Sequence, residues 1–197
     1  MTFHPPHAPI PANLTTDKFV LDPLTTDPVH LDHAALMESV DMLRAWSGHD
    51  WPTHEFTVDQ NFEDLARHQA EHTEGVAFTF TVLTPDRSRC IGCVYLDNLS
   101  NVLTSAGADP AQIAAVQDGS VAVRFWATQP RLADDLDVHL FEAINTWLRR
   151  EWAFQHIFFR TNDRDQRQVR LFENAGFIRA HAIQSPERRG RLVIYKG

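Results

Sequence analysis

The chain has 197 residues, 43% apolar and 22% charged, enough for one well-cored globular domain. A net charge of −8 argues against general nucleic-acid binding, and no apolar run approaches the ~20 residues that cross a bilayer. Met1 to Asn13 lacks Lys, Arg and an apolar block, so it does not read as a secretory signal, and the expectation is a cytosolic protein.

In chain order, residues 1–18 form a leader rich in Pro and His (Pro5, Pro6, Pro9, Pro11), followed by one domain over 19–197. Phe19 to Leu24 predicts a short strand. Leu31 to Trp46 predicts one helix with Leu36, Val40 and Leu43 on a face, broken by Ser47 to Pro52. Thr57 reads as an N-cap, opening a second helix that carries Phe62, Leu65 and Ala66 and ends near Gly75. Val76–Leu83 and Cys90–Leu96 alternate as a hairpin around Thr84–Arg87. The polar, Ala-rich insert Asn98–Gly119 has room for a short helix at Pro110–Val116. Ser120–Thr128 is a strand, and Leu136, Leu140, Phe141, Ile144, Trp147 and Leu148 follow helical spacing, with Asp134 or Asp135 as the cap. A strand (His156–Arg160), a helix (Arg164–Asn174, closed by Ala175-Gly176) and two strands (Phe177–Ile183, Leu192–Tyr195) complete the chain. This order implies an α/β fold with a mixed sheet and crossover helices.

Three clusters invite chemistry. Cys90 and Cys93 have CxxC spacing, but on a strand, where their sulfurs point to opposite faces, so core packing is the expected role. His68 and His72 share a helix face without a third ligand, which predicts a solvated face and no metal. From Arg160 onward there are nine Lys or Arg against four Asp or Glu, so the C-terminal segment suits an anion while the rest repels one. Sixteen of the eighteen basic residues are arginines, the side chain best shaped for oxyanions.

The C-terminal half resembles the GNAT superfamily of N-acetyltransferases. Its last helix resembles the family motif N-x-x-A-x-x-L-Y-E-K-x-G-F, aligned on Asp165–Phe177 with Leu171, Glu173, Gly176 and Phe177 in register. The resemblance covers about Phe19–Tyr195. It implies a GNAT acyl-CoA N-acyltransferase fold of about six or seven strands and acetyl transfer from acetyl-CoA to a primary amine of a small molecule or peptide. The family's [Q/R]-x-x-G-x-[G/A] loop cradles the pyrophosphate on backbone N–H groups. Here the region reads Gln129-Pro130-Arg131-Leu132-Ala133-Asp134-Asp135-Leu136-Asp137, with carboxylates where small residues belong. The Tyr that serves many members as general acid is replaced by Phe172.

Carried onto this chain, the resemblance assigns the cofactor to Phe125, Trp126, Ala127, Arg131, Leu132, Ala133, Asp134, Arg167 and Phe172, with the Phe125–Ala127 backbone as oxyanion donor. Asp97 is the candidate base, and also reads as a surface residue ending a strand. Trp46, Trp51 and His54 are candidate acceptor contacts, the tryptophans equally readable as core. The alternative is a GNAT-fold binding protein without transfer, as a homodimer.

Overall fold

The computed structural model describes residues 3–5 and 7–197. Residues 1, 2 and 6 of the leader lie outside them. The alternating apolar runs form one eight-stranded sheet, ordered β1-β2-β3-β4-β5-β6-β8-β7. Its strands are β1 (Leu14–Thr15), β2 (Val20–Pro23), β3 (Ala77–Leu83), β4 (Cys90–Asn98), β5 (Ser120–Ala127), β6 (His156–Asn162), β7 (Ile178–Ile183) and β8 (Leu192–Lys196). The strand beyond the expected seven is β1, which pairs with β2 through Leu14↔Leu21 and Thr15↔Val20.

The parallel pair is β5 and β6, joined through a long crossover helix as the element order predicts. Their pairing runs only from Ser120↔His156 to Val123↔Phe159. Beyond that point the strands fork, and the next residues, Arg124 and Arg160, stand at the crotch.

Alternation sorts the side chains onto two faces. On one, Phe80, Val94, Val123, Phe125, Phe159 and Tyr195 pack against α6 (Leu136–Glu151) and α7 (Gln166–Asn174). The opposite face has two separate covers. Cys93, Tyr95 and Trp126 lie under α1 (Val29–Met37), α2 (Val40–Ser47) and α3 (Val58–Glu74). Ala122, Phe158 and Ile194 lie under α4 (Leu99–Ser105), beside α5 (Pro110–Ala114). A polar gap separates the two covers. Among the described residues no helix is long and apolar enough to cross a membrane.

Two local expectations are corrected. The helix read over Leu31–Trp46 is two helices, parted at Ser39, where φ is −132°. Ser39 is buried, and its Oγ accepts from the Gln129 amide at 2.9 Å, so the break anchors the segment after β5. The cysteine sulfurs do not diverge. A register shift between Val82 and Leu83 returns Cys90 to the face of Cys93, and both thiols are free and buried in one apolar cluster. Their packing role stands.

Candidate functional site

On the side of the sheet under α6 and α7, Gln129–Asp134 forms a 3-10 turn, and Asp135 turns left-handed (φ 53°) to start α6. Asp and Asn are among the few non-glycine residues that adopt this conformation readily. The expected carboxylate cap is absent: Asp135 makes no side-chain cap hydrogen bond, and Asp134 instead meets Arg131 at 3.4 Å. Arg167 of α7 reaches across. Its Nε and Nη2 donate to the two carboxylate oxygens of Asp137 at 2.5 and 2.8 Å, and Nη2 also donates to Asp135 at 2.9 Å. Asp137 is 2% exposed, so this fork is its shield from a dry site. These bonds hold the Arg167 guanidinium even more firmly protonated than usual.

Gln168, the next residue, projects into the fork and donates Nε2–H to the Phe125 carbonyl at 2.7 Å. The family motif has Ala at this position. A cavity of about 30 Å³ remains, lined by Trp126, Ala127, Leu132, Asp137, Arg167 and Gln168.

The opposite side is open. Where the two helical covers part, one cavity of about 300 Å³ lies against Trp46, Trp51, Leu65, His68, Tyr95 and Arg124. A second, of about 350 Å³, shares Arg67, His68 and Arg124 and extends to Asp97, Arg160 and Arg188. Arg124 and Arg160 point here because alternation puts them on this face just past the fork. Arg188 comes from the β7–β8 loop, which is clamped to the end of α2. Gly48 takes a left-handed conformation (φ 73°) that closes the helix, and its carbonyl accepts from the Arg189 amide at 2.7 Å. Arg188 Nη1 then donates to the Ser47 carbonyl at 2.5 Å.

The electrostatics of this cavity are lopsided. Arg160 is ion-paired with Asp97, while Arg124 stacks over Tyr95 (4.4 Å) and Trp46 (5.1 Å) and, among the described residues, has no carboxylate at ion-pair distance. Burial and the neighbouring Arg124 charge pull the Arg160 pKa down to about 10, against the pull of Asp97. Burial pushes the Asp97 carboxyl up, but Arg160 and Arg124 outweigh it and leave it below the ordinary range. Burial, helped by Arg67 and Arg124, lowers His68 to about 4, so its imidazole is neutral at pH 7.

No protein-family model matches the sequence, and no curated protein matches it. Solved structures do match in fold. A ribosomal-protein-S5-alanine acetyltransferase from Vibrio fischeri superposes with a TM-score of 0.72 at 11% identity, over 95% of this chain and 96% of that one. The microcin C7 self immunity acetyltransferase MccE, solved with acetyl-CoA and AMP, gives 0.72 at 9% identity over 95% and 97%. A putative GNAT-family acetyltransferase from Bordetella pertussis gives 0.65 at 17% identity over 94% and 99%. The chain has the GNAT acetyltransferase fold.

The sequence resemblance assigns the donor to the α6 side of the fork. On that side the carboxylates and Arg167 fill the turn before α6, and Gln168 fills the slot beside Phe125. Of the residues assigned to the cofactor, Phe125 and Phe172 are fully buried core rings, 6.2 Å apart. Trp126 faces the other side and donates to the Tyr95 hydroxyl at 3.3 Å. Arg131, Leu132, Ala133 and Asp134 remain together on the turn before α6. Of the acceptor candidates, Trp46 and Trp51 line the cavity, whereas His54 turns away to Arg44 at 3.2 Å. His68 is not on a solvated face; it lies over the Tyr95 ring at 5.4 Å, inside the cavity. Nothing local in the sequence marks Arg124, Arg160, Arg188 and His68 as one site. The available signal was the arginine surplus after residue 160.

Proposed function

We propose that the protein is an N-acyltransferase of the GNAT type, taking a primary amine of a small molecule or peptide in the cavity at the fork. The observation that carries this reading is the coincidence of cavity and fork. A polar opening of about 350 Å³ lies where β5 and β6 part, on the face opposite α6 and α7. The neighbours' names, all acetyltransferases, support acetyl-CoA as donor.

An amine attacks an acyl carbon only as its free base. The excess of guanidinium charge disfavours an ammonium in this cavity and so lowers the acceptor's pKa. Asp97, ionised, and His68, neutral, line the cavity and can take the departing proton.

The occupied donor side favours a second reading, a ligand-binding GNAT-fold protein without transfer. Calorimetry with acetyl-CoA, run beside a thiol-release assay over a panel of amines, separates the two. The transferase reading expects acetyl-CoA to bind and to release thiol when an amine is present, with Gln168→Ala binding more tightly because the slot reopens. Absence of heat in both the wild type and Gln168→Ala sinks it.

A further inference from the structure

The cavity at the fork holds more positive charge than its own carboxylates answer. Arg67 is met by Asp64 and Glu71, each at 3.4 Å. That leaves Arg124, Arg160 and Arg188 facing Asp97 alone. The Nε–H groups of all three are buried without a hydrogen-bond acceptor. Arg160 is only 8% exposed, so bulk water does not stand in for the missing acceptor. An unanswered buried donor destabilises the fold, and more so when it is charged. Three guanidinium groups from three elements line one cavity with Asp97 as their ion-paired carboxylate, which describes a site whose ligand brings further acceptors.

Burial pulls both Arg160 and Arg188 down, and the Arg124 charge adds to it, so the three repel one another across the gap. A bound oxyanion relieves that repulsion and receives the idle N–H groups. The adjoining walls, Trp46, Trp51, Leu36 and Leu65, suit an apolar or aromatic body. Together the two openings match the size of small-molecule pockets.

We propose that Arg124, Arg160 and Arg188 form an oxyanion site that grips a carboxylate or phosphate on a small molecule with an apolar body. Resting on the transferase reading, that molecule is the acceptor, an amine that also carries the oxyanion. The placement is chemically coherent: the arginines neutralise the molecule's anionic end, while their residual field keeps its amine unprotonated.

The test uses the full chain and three probes: inorganic phosphate, phenylalanine, and phenethylamine, which lacks the carboxylate. Thermal shift and calorimetry are run without acetyl-CoA. Phosphate and phenylalanine should raise the melting temperature saturably, and phenethylamine should not. Arg188→Gln, on a loop, and Arg124→Gln are melted without ligand first. The variant that melts like the wild type should bind both oxyanions at least tenfold more weakly. If only one folds, that one carries the test. Failure of phosphate and phenylalanine to bind the wild type overturns the site. Equal affinity in wild type and variants overturns it as well. Oxyanion binding without thiol release in any amine assay would remove the transferase reading and leave the site standing. Thiol release with phenethylamine as efficient as with phenylalanine would do the reverse.

Discussion

Asp137 and Arg167 show how one buried charge governs its neighbours. Asp137 is nearly sealed, but its partner's side chain is 40% exposed, so the two halves of the pair are not equivalent. Removing Arg167 strands a carboxylate in a dry site, whereas removing Asp137 leaves a guanidinium that still reaches water. Arg167→Ala should therefore cost about 3 kcal/mol and Asp137→Ala about 1 kcal/mol. The double variant should cost less than the sum of the two, measured by urea denaturation near neutral pH. Equal single costs that simply add would show that the pair contributes no coupling. The acids at 134, 135 and 137 were legible in the sequence as intruders at an anion site. Their partner was not, because Arg167 lies thirty residues away and meets them only through the packing of α7 beside α6.

At the scale of elements, α3 links fold to acidity. His68, on its inner side, faces Glu71 and Arg67 from its own helix, Arg124 from β5 and Asp97 from β4. Its pKa falls from 6.5 to about 4 on folding. The unfolded chain thus binds a proton that the folded chain refuses. Stability from this source is complete above pH 6.5, is lost as pH falls toward 4, and levels off below, with a full extent on the order of 3 kcal/mol. His68→Gln should flatten melting temperature against pH across that window; an unchanged slope would assign acid lability to other groups. Helix and strand existence was legible here because apolar periodicity is local. Thr57 caps α3 as its sequence suggests, with Gln60 completing the box. The break at Ser39 was not legible: nothing in the local pattern records that its hydroxyl answers an amide ninety residues on. The arginine site was hidden for the same reason. Positions 124, 160 and 188 are unremarkable separately, and only the strand order and the β7–β8 loop bring them together.

At the scale of the molecule, Phe3 ties the N-terminal stretch to the packed interior. Phe3 stacks on Phe78 at 5.6 Å and lies tilted against Phe154 at 5.3 Å, at 8% exposure. Phe3→Ala should cost about 3 kcal/mol in urea denaturation, and a loss below about 0.5 kcal/mol would mean that this stretch is dispensable.

The same distribution of charge sets how a ligand arrives. The whole chain carries −8, yet the cavity at the fork is locally positive. An approaching anion is therefore repelled at long range and held only once it is inside. Salt screens the distant repulsion over a Debye length of about 8–10 Å, and it also weakens the final grip. Raising ionic strength should therefore quicken both arrival and departure, opposite to the slowing of arrival expected for a basic protein that steers anions in from afar. Stopped-flow traces with phosphate at several chloride concentrations would display this double acceleration. A protein built this way discriminates against anions at its surface and admits them at one address, so its occupancy follows the salt of its surroundings through the balance of capture and residence time.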